Sequence, residues 1–114
     1  MGWPAERIID VVSNHYPKSI LSVQLVLTAA TVLDIETMVK TANGDVYPEG
    51  VTGIWMTPLA DVRVTFDRVH LPTATSGLIL AAGVLFKTDS NPLMVYNMFL
   101  RSTAGTTIEI ELLG

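Results

Sequence analysis

The chain has 114 residues, a formal net charge of −4 and no cysteine, with 16% charged residues against 49% apolar ones. That length makes one domain, and surface scaling leaves about two-thirds of its surface buried, enough for a self-sufficient core. The composition excludes disulfides and thiolate zinc sites. Its seven Lys and Arg residues, scattered along the chain, make neither a phosphate-neutralising footprint for nucleic acid nor a basic patch for acidic membranes. So few charges on a small domain imply neutral or apolar surface suited to contact with another subunit.

Residues 1–19 differ from the remainder. Pro4 suits the first turn of a short helix, with Glu6 near its positive end. Ile8, Ile9, Val11 and Val12 form its apolar stripe, and Pro17 ends it by driving Tyr16 out of the helical region. A helix this short is marginal alone. It docks either on its own domain, as a cap, or on a neighbouring subunit, as an arm. Trp3, Ile8, Ile9, Val12 and Tyr16 are the candidate interface residues.

Residues 20–114 form the β domain. The apolar stretch from Ile20 to Leu33 starts too far from Met1 for a secretion leader, is interrupted by Ser22, Gln24 and Thr28, and is too short to span a bilayer. Leu21, Val23, Leu25 and Leu27 alternate with Ser22, Gln24, Val26 and Thr28, which predicts a strand with one dry and one wet face. The segment Thr31 to Lys40 fits two readings. Thr31 and Asp34 resemble a capping box before the helical spacing of Val32, Ile35 and Val39. An extended reading, with Asp34 and Glu36 outward, is preferred because the neighbouring elements are strands.

Asn43-Gly44-Asp45 and Pro48-Glu49-Gly50 read as turns. Gly53 to Thr57 is a strand with Trp55 in the core, and Asp61 to Asp67 is the next. Pro72 to Gly77 is a polar loop. Leu78-Ile79-Leu80 follows, with a bend at Ala82-Gly83 before a strand Val84-Leu85-Phe86. Asp89-Ser90-Asn91-Pro92 is a turn. Leu93 to Leu100 is apolar on both parities and is expected to be a strand covered on both faces. Ala104-Gly105-Thr106 turns into the last strand, where Ile108, Ile110 and Leu112 alternate with Glu109 and Glu111. This spacing of strands and turns predicts an all-β fold, an antiparallel β-sandwich or jelly-roll-like barrel with a short N-terminal arm or helix.

Reactive groups are sparse. His15 and His70 lie in turns, 55 residues apart, without a nucleophile-elbow pattern or metal-ligand spacing. The pairs Asp34/Glu36 and Glu109/Glu111 are the wet sides of strands rather than acids set across a sugar ring. Asp45, Asp61, Asp67 and Asp89 sit in turns without the spacing of a calcium loop. The expectation is a protein with no catalytic, metal or cofactor-binding residues.

Three stretches carry a family resemblance. They are Gly53-Ile54-Trp55-Met56-Thr57-Pro58-Leu59-Ala60-Asp61-Val62-Arg63-Val64-Thr65-Phe66, Ser76-Gly77-Leu78-Ile79-Leu80-Ala81-Ala82-Gly83-Val84, and Phe99-Leu100-Arg101-Ser102-Thr103-Ala104-Gly105-Thr106-Thr107-Ile108-Glu109-Ile110. Together they resemble small β-sandwich structural proteins of tailed bacteriophages, of the capsid decoration (cement) type. The resemblance covers about half the chain, from Gly53 onward. It implies a non-enzymatic virion protein, made in the host cytoplasm, that sits as a homotrimer on the outer capsid lattice and clamps the major capsid protein. Such a ligand stabilises the expanded shell by mass action and gains avidity from several weak contacts. The alternatives are another phage structural component (head fibre base, tail or baseplate) and a receptor- or glycan-binding β module.

Overall fold

The computed structural model describes residues 18–88 and 91–114. In chain order the elements are β1 (Ser19–Leu27), β2 (Leu33–Asp34), α1 (Ile35–Ala42), β3 (Gly53–Pro58), β4 (Val62–Thr65), β5 (Leu78–Leu80), β6 (Phe86–Thr88), α2 (Pro92–Tyr96), β7 (Phe99–Arg101) and β8 (Thr106–Leu113). They make two four-stranded sheets, β1-β8-β3-β6 and β2-β7-β4-β5. Every neighbouring pair is antiparallel. The nested pairing of β1 with β8, β2 with β7, β3 with β6 and β4 with β5 is the wrapping of a jelly roll.

Alternation explains the strands that the sequence makes legible. Leu25 and Leu27 of β1, Ile54 and Met56 of β3, and Ile108, Ile110 and Leu112 of β8 point inward and are buried. Val62 and Val64 of β4 and Leu100 of β7 meet them from the second sheet, in one continuous core. The outward set of the first sheet includes Ser22, Gln24, Val26, Trp55, Thr57, Lys87, Glu109 and Glu111. Two glycines close turns that a side chain would strain. Gly105 has φ +78°, and a Cβ there would lie 3.0 Å from Ala29 N and 3.1 Å from Leu27 O. Gly77 has φ +108°, with its Cβ position 3.0 Å from Val64 O.

Four expectations need correction. First, Thr31 to Lys40 is not one extended segment: a two-residue strand leads into α1, which buries Ile35, Met38 and Val39. That i, i+3, i+4 spacing gives a helix one apolar face, and the face outweighs the strand context. Asp34 and Glu36 therefore sit on different elements, and Thr31 Oγ1 donates to Ala29 O instead of capping the helix. Second, Leu93 to Leu100 is not one covered strand. Asn91 caps α2, its Oδ1 accepting the Met94 N–H at 3.1 Å, and Pro92 stands in the first turn. Leu93 and Tyr96 are exposed, and only Val95, Met98 and Leu100 of this stretch are fully buried. Third, Trp55 is on the outer face and 39% exposed, because Ile54 and Met56 take the inward parity. Fourth, the strand after Gly83 starts at Phe86, leaving Val84 and Leu85 exposed before it.

Candidate functional site

The outer face of the first sheet carries a polar row around one indole. Ser22 pairs with Glu111, Glu111 with Trp55, and Trp55 with Lys87. The next row is Gln24, Glu109 and Thr57. Gln24 Nε2 donates to Glu109 Oε1 at 2.8 Å. The hydroxyls of Ser19 and Ser22 donate to the two Glu111 oxygens at 2.5 and 2.6 Å, and these bonds hold the Glu111 carboxyl below its ordinary range. The Lys87 ammonium lies 5.5 Å from the centroid of the Trp55 ring. A shallow depression of about 490 Å³ opens between these residues and Leu85.

The outer face of the second sheet carries two facing arginines. Arg63 of β4 lies directly opposite Arg101 of β7 on one side and Ile79 of β5 on the other. Arg63 donates to Gly77 O at 3.0 Å and Arg101 to Thr103 Oγ1 at 3.0 Å. Among the described residues neither is ion-paired; the one such pair is His70 with Asp67. Farther along this face Arg68 covers the Tyr96 and Phe99 rings, 4.0 and 5.1 Å from their centroids. Like charges facing each other across strands repel, so the Arg63–Arg101 pair is a local cost of the fold. It borders a depression of about 380 Å³ that Asp61 also lines.

The third feature is an edge. β5 and β6 are the outer strands of their sheets on one lateral side. From Gly77 to Phe86 the sequence has no charged or hydrogen-bonding side chain. Leu78, Ile79, Val84 and Leu85 in that run are 64, 54, 57 and 53% exposed. Uncharged apolar edges free of proline invite pairing with another chain.

The expected interface residues Trp3, Ile8, Ile9, Val12 and Tyr16, like His15 and Asp89, lie outside the described residues. His70 is a surface residue, 2.5 Å from Asp67 Oδ2, and it holds that carboxyl below its ordinary range, helped by the Val69 N–H. Tyr47 is pushed up to about 12 by burial and then by Glu36 and Asp34. No group of three or more His, Asp or Glu gathers among the described residues, so the turn acids Asp45, Asp61 and Asp67 remain apart. No helix among them is long and apolar enough to cross a membrane. Sequence reasoning missed both the Arg63–Arg101 pair and the bare edge. The uncharged run 77–86 could have revealed the edge; the arginine pair needs the strand register. No family model, curated protein or solved structure matches this chain.

Proposed function

We propose that this chain is a non-enzymatic bacteriophage virion protein, a capsid decoration (cement) protein. It is made in the host cytoplasm, binds the outer capsid lattice as a homotrimer and stabilises the lattice by clamping major capsid subunits. The observation that carries this reading is the exposed apolar edge formed by Leu78, Ile79, Val84 and Leu85, a surface costly to leave in water unless another chain covers it. In this reading the edge faces the major capsid protein. The jelly-roll wrapping adds an analogy at the level of fold, since viral capsid domains use it. Electron microscopy of purified particles tests the proposal. Three-fold density on the capsid surface is expected. Density confined to the tail or baseplate makes the chain a different structural component.

A second reading is favoured by Trp55. An outward indole, 39% exposed, shares one surface with Gln24, Thr57 and Glu109, the aromatic and hydrogen-bonding groups a sugar would need. Binding on a glycan array that Trp55→Ala abolishes would establish it, and an array without signal discards it.

A further inference from the structure

We propose that Asn43 is a site of spontaneous deamidation, and that the turn it anchors sets the pace by keeping the reacting atoms apart while closed. The inference concerns the connection between α1 and β3. It goes beyond the decoration reading and does not depend on it.

The chemistry starts from the pair Asn43-Gly44. Asn43 is the one asparagine of four that precedes a glycine. With no side chain on that glycine, its backbone nitrogen meets little steric barrier to attack on the Asn43 carboxamide carbon. Attack forms a bond from the Gly44 nitrogen to Cγ and breaks the bond from Cγ to Nδ2. The nitrogen gives up its proton, and Nδ2 takes one and leaves as ammonia. Water then opens the five-membered imide at either carbonyl, which leaves aspartate or its β-linked isomer at position 43. One water is consumed and one ammonia released, with no change of oxidation state. Gly44 is exposed, a Cβ there would meet nothing within 4 Å, and its N–H has no partner among the described residues.

The closed turn holds these atoms apart. Gly44 and Asp45 have φ of 62° and 65°, the two positive angles of a type I′ turn. The Val46 N–H donates to Asn43 O at 3.2 Å, and Asn43 Nδ2 donates to Val46 O at 3.0 Å. The Asp45 N–H donates to Lys40 O at 2.8 Å, which ties the turn to the end of α1. Imide closure needs the Gly44 nitrogen on the Cβ side of the Asn43 Cα–C bond. At a ψ of 36° it stands nearly opposite Cβ. Reaction therefore waits for ψ to swing round, which breaks both bonds to Val46. Exposed connections open locally in this way without unfolding the domain.

The product cannot rebuild what it replaces. An ionised carboxylate has no proton to donate, so the bond to Val46 O is lost and two acceptors face each other. The new anion stands at the C-cap of α1, at the negative end of the helix dipole, and two residues from Asp45. The β-linked isomer also adds a carbon to the main chain inside the turn. Tyr47 follows Val46 directly and packs against the core, so a loosened turn pulls on a core contact. The modification adds a negative charge to a chain of net charge −4 and weakens the connection in one irreversible step.

Peptide mapping by mass spectrometry tests this on the full chain, aged in mildly alkaline buffer beside the same chain aged in strong urea. Position 43 should pass from amide to acid in both. The folded chain should react about 30-fold more slowly, the factor that two hydrogen bonds are worth. Asn91 is the internal standard and should stay an amide, because Pro92 after it has no N–H to attack with. Below the unfolding transition the folded rate should ignore urea, since opening one turn exposes little surface. Asn43→Asp, with circular dichroism confirming the fold, should speed deuterium exchange of the Val46 amide about fivefold, one hydrogen bond's worth. Equal rates in the folded and unfolded chain overturn the inference, as does an Asn43 amide that survives in urea. A folded rate that climbs with urea from the lowest concentrations makes global unfolding the gate and overturns the role of the turn. Unchanged Val46 exchange overturns it too. Capsid density in particle images bears on the decoration reading alone.

Discussion

On one lateral side of the sandwich β1 runs along β8 from Ser19↔Leu113 to Leu27↔Thr106, with α1 packed beside it. On the other side β5 and β6 are three-residue strands whose neighbours on the apolar run are exposed. The first side has long ladders and alternating parity, with Ile20 and Val26 its exposed large apolar residues. The second has short ladders and bare leucine, isoleucine and valine. The contrast separates two jobs: a stiff frame that holds itself together, and a margin that the frame alone leaves uncovered.

The largest effects should fall on the frame. Leu25→Ala or Leu100→Ala removes a side chain with 0% exposure, which should lower the unfolding free energy by about 2–5 kcal/mol. Urea denaturation reads this directly, and a loss below ~1 kcal/mol would mean that the two sheets are less tightly packed than described. Gly105→Ala comes next. The left-handed backbone and the close approach to Ala29 and Leu27 predict a loss of about 1–3 kcal/mol, by the same measurement.

On the margin the pattern should invert. Ile79→Glu is expected to change stability by no more than ~0.5 kcal/mol, because the residue is already half in water and the acid it introduces lies opposite Arg63. On the decoration reading it should nevertheless sharply reduce binding to expanded capsid shells in a co-sedimentation assay, since a charge on the edge blocks edge pairing. If the same substitution unfolds the domain, β5 belongs to the frame and the contrast between the sides fails.

How much of this division the sequence disclosed depends on the element. β1, β4 and β8 were legible because each alternates for several residues, Val62 and Val64 with Arg63 and Thr65 in β4, and the parity of Leu25, Val62 and Ile110 correctly marked the core; β3 was legible as a strand, though not by face. α1 was obscured because Ile35, Met38 and Val39 satisfy the helical spacing while their neighbours fit a strand equally well. α2 was hidden in an apolar run whose start signal, Asn91-Pro92, also reads as a turn. Trp55 was misplaced because indoles are commonly buried, and the inward parity belonged to Ile54 and Met56. The sheet order, and with it the Arg63–Arg101 pair, depends on long-range pairing that no local pattern encodes.

The smallest expected effect lies on the outer face of the frame and concerns Glu111. Its carboxyl is lowered from the ordinary value of 4.5 by hydrogen bonds from Ser19 and Ser22. A carboxyl lowered by folding adds stability that is present above the unfolded value and is lost as pH falls through the folded one. The Glu111 contribution should therefore hold at neutral pH and fade below about 4.5. The carboxylate is solvent-screened, so the contribution is small. Ser22→Ala removes one of the two hydroxyl donors. NMR titration of the Glu111 carboxyl should then show its midpoint moving up toward the ordinary value, with the neutral-pH fold unchanged. A midpoint that stays put would mean that Ser19 alone sets the shift, and that the row from Ser22 to Trp55 is held by backbone pairing rather than by its side chains.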